Sequence, residues 1–215
     1  VRTTINLWRQ RLDEVPEEAW ADPAVEALIL ADTGIVSLPA RIGTLRRLRV
    51  LDLGHNALTA VPEELGALDA LDFLYLHDNR LTALPHSLGR LTGLRYLNVG
   101  ENPLRALPES VGDLTALLEL RAQGCGLTAL PGSLRRLVHL RELHLRDNAL
   151  TAVPDALRAL PRLRHLDLRG NRIATLPDWI AGLPSLEKLD LRWTDVDPDA
   201  PLLAGLSARG CFVLA

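Results

Sequence analysis

The chain has 215 residues, and 47% of them are hydrophobic, so there is ample material for a core. A net charge of −3 and a pI near 6.1 exert no general pull toward nucleic acid or an anionic membrane. Two cysteines, Cys125 and Cys211, make no disulfide framework, and no apolar run approaches the ~20 residues of a membrane span.

Taken in order, the chain repeats itself every 23 residues, with units starting at Arg2, Val25, Leu48, Leu71, Leu94, Leu117, Leu140, Leu163 and Leu186. Leu48–Ala70 reads LRVLDLGHNALTAVPEELGALDA, and Leu71–Gly93 reads LDFLYLHDNRLTALPHSLGRLTG. Leucines, asparagine and proline align without a gap, and a fixed period of this size predicts a solenoid. The first unit is degenerate, with Arg2 where an apolar residue belongs and Gln10 where asparagine belongs. Residues 1–24 therefore read as an N-terminal cap, with Trp20 covering the open end of the core. Seven regular repeats follow over 25–185. The sixth unit, Leu117–His139, departs most: Ala122 replaces an inward leucine, and Gly124 and Gly126 flank Cys125. A slight change of curvature is expected there. The last unit leaves the pattern at Asp197-Pro198, so 186–215 is the final repeat plus a C-terminal cap. Within it Pro201–Arg209 is predicted as a short helix, Gly210 as its stop and Cys211–Leu214 as a closing edge strand.

Within a unit, positions 3 to 7 alternate out-in-out-in-out, as a strand requires. Positions 15 to 22 start with proline and place apolar residues at 18 and 21, which suits a short helix or 3₁₀ turn. The turn side is wider than the strand side, so the stack curves with its strands on the concave face. A lone unit buries too little to offset its ordering entropy, so stability comes from stacking. Position 9 holds Asn56, Asn79, Asn102, Asn148 and Asn171, whose amides are expected to satisfy backbone groups of neighbouring turns. Cys125 takes that position in the sixth unit and reads as buried and inert.

The motif L-x-x-L-x-L-x-x-N-x-L, recurring along nearly the whole chain, resembles that of the leucine-rich repeat family. The resemblance implies an α/β solenoid, or horseshoe, with parallel strands on the concave face and short helices or 3₁₀ turns on the convex face. Position 9 resembles the family's asparagine ladder. Extracellular members often carry disulfide-capped ends, and their absence here favours a reducing, cytoplasmic setting. A single lysine, Lys188, against many arginines suggests a high-GC bacterial genome.

In this family partners usually dock on the concave face through positions 3, 5, 7, 8 and 10. Those columns place Phe73, Tyr75 and Tyr96 on two adjacent strands, with Val50 extending the patch. Exposed aromatic groups gathered together are typical of binding hot spots. His77, Asn98 and Arg121 supply polar neighbours. Toward the C-terminus the face turns charged, with His144, Arg146, Arg169 and Arg192 among Glu119, Glu142, Asp167 and Asp190. Asp32, His55, Asp78 and Glu101 make an acidic strip at position 8. Glu142, His144, His165 and Asp167 imitate a metal site, but a flat sheet lacks the enclosing shell such sites need, so no metal is expected. No serine or cysteine stands beside a histidine and a carboxylate, and no cofactor is expected.

The sequence thus predicts one domain over 1–215 that binds a protein or peptide on its concave face. The expected partner-binding residues are Phe73, Tyr75, Tyr96, Val50, His77, Asn98, Arg121, His144, Arg146 and Arg169. The chain is expected to be a monomeric, non-enzymatic module with no nucleic-acid or membrane partner. The alternative is the substrate-recognition part of a larger bacterial effector or ubiquitin-ligase-type enzyme.

Overall fold

The computed structural model describes residues 3–215; Arg2, the expected start of the first unit, lies outside them. Ten three-residue strands form one parallel sheet in sequence order. They are β1 (Thr4–Asn6), β2 (Ala27–Ile29), β3 (Val50–Asp52), β4 (Phe73–Tyr75), β5 (Tyr96–Asn98), β6 (Glu119–Arg121), β7 (Glu142–His144), β8 (His165–Asp167), β9 (Lys188–Asp190) and β10 (Phe212–Leu214). From β1 to β9 each residue faces the one 23 positions later, as Val50 faces Phe73 and Phe73 faces Tyr96. The strands line the concave face and 3₁₀ turns the convex one.

The strands are shorter than positions 3 to 7 because position 8 turns away in every unit. Its φ is positive throughout: 59° at Arg9, 56° at Asp32, 54° at His55, 52° at Asp78, 55° at Glu101, 63° at Gly124, 55° at Asp147, 65° at Gly170 and 59° at Trp193. That conformation costs a non-glycine residue roughly 1–2 kcal/mol. Gly124 in the sixth unit therefore answers a backbone demand, while Ala122 is the residue that thins the core. Ladder bonds still run past the strand ends, for example from Leu30 N–H to Asp52 O (2.8 Å) and from Asp32 N–H to Gly54 O (3.0 Å).

The position-8 turn brings the position-9 asparagine inward. The Asn102 amide donates to Leu76 O and Val99 O, both at 2.9 Å, and its Oδ1 accepts from Leu81 N–H at 3.0 Å. Asn79, Asn148 and Asn171 repeat this pattern. Cys125 reproduces only the donor half, its thiol reaching Val99 O at 3.3 Å. With no amide acceptor there, Leu104 N–H turns back to Asn102 O (2.8 Å) and Arg105 adopts a φ of 60°. A seam in the ladder thus lies between the fifth and sixth units. Burial pushes the Cys125 thiol up to about 11, as befits an inert group.

Each convex 3₁₀ turn follows a proline, as Glu63–Ala67 follows Pro62 at φ −70°. Proline pre-sets that φ and has no N–H to leave unpaired. Some turns are tied to the preceding unit: the Glu63 carboxylate accepts from His86 N–H (3.1 Å) and Ser87 N–H (2.8 Å). Leucines and other aliphatics from all units form one continuous core. Trp20 is buried at its N-terminal end, as expected of the cap. At the other end helix α1 (Pro201–Ala208) buries Leu203 and Leu206, Gly210 stops it at φ 89°, and β10 pairs with β9.

Candidate functional site

The register that stacks the core leucines also stacks the outward residues. Phe73 and Tyr96 face each other across β4 and β5 with ring centroids 6.3 Å apart. Tyr75 lies 4.8 Å from Tyr96 and 6.3 Å from His77, which meets His55 edge-on at 4.7 Å. Five rings therefore run contiguously over this part of the face, with Val50 flanking Phe73. Phe73 is the most open of the three Phe/Tyr rings, at 37% exposure; Tyr75 and Tyr96 are half-buried. Partial burial raises both tyrosine pKa values.

The polar neighbours of this patch are occupied with the backbone. Asn98 is only 7% exposed, and its Oδ1 accepts from Gly100 N–H at 3.1 Å. Asp52 does the same for Gly54 N–H at 3.0 Å. Asn98 was expected to offer an open polar edge; the structure gives it a turn-holding role, because position 5 stands two residues before the N–H it holds, at the entry to the position-8 bend. His77 leans over Gly54, with its Cε1 only 2.4 Å from where a Cβ would be, so a side chain at 54 would push the imidazole from this place. Its Nδ1 is buried without a hydrogen-bond partner. Burial, helped by neighbouring His55, lowers the His77 pKa.

Beyond β6 the surface is ionic. A pocket of about 310 Å³ opens among Arg121, His144, Arg146, Arg169, Lys188 and Arg192, with Asp167 and Asp190 in its wall. Arg169 grips Asp167 through Nε (3.0 Å) and Nη2 (2.8 Å), and its Nε also lies 3.4 Å from Asp190. Arg192 forks onto Asp190 in the same way. Arg146 is looser, at 4.0 Å from Glu101 and 3.8 Å from Asp147. Lys188 is exposed and makes no ion pair among the described residues. The ten sequence-predicted residues thus share one face, but Arg169 is held by carboxylates while Arg146 is available.

In the position-8 strip Arg9 pairs with Asp32 at 3.1 Å, which offsets one of its acids, and His55 Nδ1 lies 2.5 Å from Asp78 Oδ2. Sequence reasoning passed over Trp8, Trp193 and Phe212, which are 54%, 76% and 61% exposed. Trp8 and Trp193 stand in outward columns 7 and 8 of the two terminal units, and that placement was the available signal. Arg9 covers the Trp8 ring at 4.6 Å. Cys125 and Cys211 are free and buried. Among the described residues no helix is long and apolar enough to cross a membrane.

The family model for the leucine rich repeat matches residues 23–81 and 138–196, together more than half of the chain. Curated protein sequences give no significant match. Among solved structures, an LRR protein of Leptospira interrogans is 28% identical over 98% of this chain and 60% of its own, with a TM-score of 0.80. This chain therefore spans less than two thirds of that protein's length. The leucine-rich repeat domain of the type III effector XopL is 28% identical over 99% of this chain and 76% of that one, with a TM-score of 0.86. The Arabidopsis receptor kinase HAESA, solved with the peptide hormone IDA and the co-receptor SERK1, is 27% identical over 89% of this chain and 34% of that one, with a TM-score of 0.79. With its 23-residue units, parallel strand ladder and inward asparagines, this chain belongs to the leucine-rich repeat family.

Proposed function

We propose that the chain is a recognition module that binds a protein or peptide along its concave face. The observation that carries this reading is the contiguous set of rings, Phe73, Tyr96, Tyr75, His77 and His55, left partly open on a sheet whose core is already complete without them. Aromatic groups held rigidly by their neighbours lose little entropy on binding and supply much contact area. The partner's apolar side chains would sit on Phe73, Tyr75 and Tyr96 with Val50 beside them. Its acidic groups would meet Arg121, Arg146 and His144, with Arg146 the freest guanidinium. HAESA, a relative in fold, carries a peptide hormone in its solved complex.

A second reading is the substrate-recognition part of a bacterial effector, favoured by the likeness to the XopL repeat domain. In either reading we take residues 1–215 as one domain, supported by the unbroken ten-stranded sheet, and propose that it acts as a monomer without enzymatic activity. We place it in a reducing compartment, the reading that goes with a chain of two cysteines and no disulfide framework. The test is selection of displayed peptides against the purified chain with Phe73→Ala and Arg146→Ala as counter-screens. Peptides that bind the wild type and lose affinity for Phe73→Ala support the reading. Peptides indifferent to both variants would refute it.

A further inference from the structure

At the border between the aromatic and cationic parts of the face, two carboxylates and a histidine converge. Glu119 on β6 and Glu142 on β7 stand directly opposite each other in register. Like charges so placed repel, and a sheet has no packing reason to pair them. His144 follows two residues after Glu142 and points at both carboxylates: its Nε2 is 3.3 Å from Glu142 Oε2 and 3.7 Å from Glu119 Oε1. One donor atom from each of the three residues lies within 4.8 Å of the others. His165, opposite Glu142 on β8, brings Nδ1 to 3.7 Å from Glu142 Oε2.

The 3.3 and 3.7 Å separations from His144 Nε2 are close to those of ligands around one ion. A tetrahedral zinc site with bonds of roughly 2.0–2.2 Å spaces its donors about 3.3–3.6 Å apart. Mixed imidazole and carboxylate donors suit zinc and similar transition metals better than calcium or magnesium, which prefer oxygen alone. Glu119 and His144 are each 22% exposed in their side chains, so the concave surface shelters them without enclosing them. Arg121 Nε holds Glu119 Oε1 at 2.6 Å, an outer contact that orients the carboxylate. The sequence pointed to Asp167 as the second carboxylate and to an unenclosed face. The structure commits Asp167 to Arg169, puts Glu119 in its place and supplies the outer contact.

We infer that Glu119, Glu142 and His144, with His165 in reach, form a binding site for one divalent transition-metal cation of the zinc type. The test uses tag-free, metal-stripped full chain. Equilibrium dialysis against Zn²⁺ should load one ion, and titration with Co²⁺ should raise a visible d–d absorption that saturates at one equivalent. Zn²⁺ should also raise the thermal midpoint, because an ion that binds only the folded state stabilises it. Glu142→Gln and His144→Gln should each weaken binding about tenfold or more, and Glu119→Gln serves in place of either variant that fails to fold. Glu142→Gln removes one of two opposed charges, so it should fold at least as well as the wild type. Absence of stoichiometric loading, or loading unchanged in folded Glu142→Gln and His144→Gln, overturns the site.

Discussion

The two halves of the concave face share one backbone and differ in what stands at position 7. In both, a position-5 side chain ties down the next bend: Asp52 and Asn98 in the aromatic half, Asp167 and Asp190 in the charged half accept from the N–H two residues on. Between β3 and β5 position 7 is Gly54, His77 and Gly100, so no long cation returns to those acceptors and apolar ring surface remains outward. From β7 to β9 it is Arg146, Arg169 and Arg192, and two of the three guanidiniums fold back onto the position-5 carboxylates. One column of the repeat thus turns the same scaffold from an open aromatic surface into a largely self-compensated ionic one. The change falls beside the ladder seam at Cys125.

The sharpest way to break this comparison is to truncate the aromatic half. Phe73→Ala or Tyr75→Ala should weaken partner binding by roughly 1–4 kcal/mol, measured by calorimetric titration. Phe73→Ala should change unfolding free energy by less than about 1 kcal/mol. Tyr75 also packs on Tyr96 at 4.8 Å, an interaction worth about 0.5–1.5 kcal/mol, so its removal should be felt modestly in denaturant melts. Normal binding by both variants would move the site to the charged half.

The ladder joining the halves is the next target. Asn102→Ala orphans the carbonyls and the N–H it serves and should cost roughly 1–3 kcal/mol in the same melts. Cys125→Asn restores the acceptor missing at the seam and should leave stability unchanged or raised. A neutral Asn102→Ala would mean the ladder carries little of the joint.

Within the charged half, Arg146→Ala and Arg169→Ala should separate. Arg146, loosely held, should affect binding and salt dependence with a stability change within about 0.5 kcal/mol. Arg169→Ala should chiefly lower stability, because it strips Asp167 of its fork and Asp190, whose side chain is 5% exposed, of a neighbour. Equal stability losses would erase the distinction between free and committed arginines.

The smallest effect expected is a pH dependence from His77. Its folded-state pKa is depressed by burial and by His55, against an unfolded value of about 6.5. Well above that value both states are neutral and the group contributes nothing. As pH falls through it the unfolded chain takes up a proton that the folded chain refuses, so stability drops until the folded pKa is reached. The groups facing His77 are His55, Asp52, Asp78 and Arg121. The slope of unfolding free energy between pH 7 and pH 5.5 should flatten in His77→Gln; an unchanged slope would assign it to other groups.

The sequence by itself determined whatever follows from the 23-residue period. Neighbours in space are neighbours at a fixed offset, so the solenoid, the inward leucines, the asparagine ladder and the meeting of Phe73 with Tyr96 were all legible. The tertiary structure decided what depends on backbone bends and on side-chain rotamers reaching across strands. Nothing in the sequence announces that position 8 is left-handed in every unit, because Arg, Asp, His, Glu, Trp and Gly all occupy it. Nor does an offset tell which carboxylate an arginine turns toward: Asp167 and Asp190 hold Arg169, Glu119 swings to Arg121 and His144, and Arg146 is left loose. A column of the repeat specifies adjacency, while several partners lie within reach of a long side chain, and only packing and charge in three dimensions choose among them.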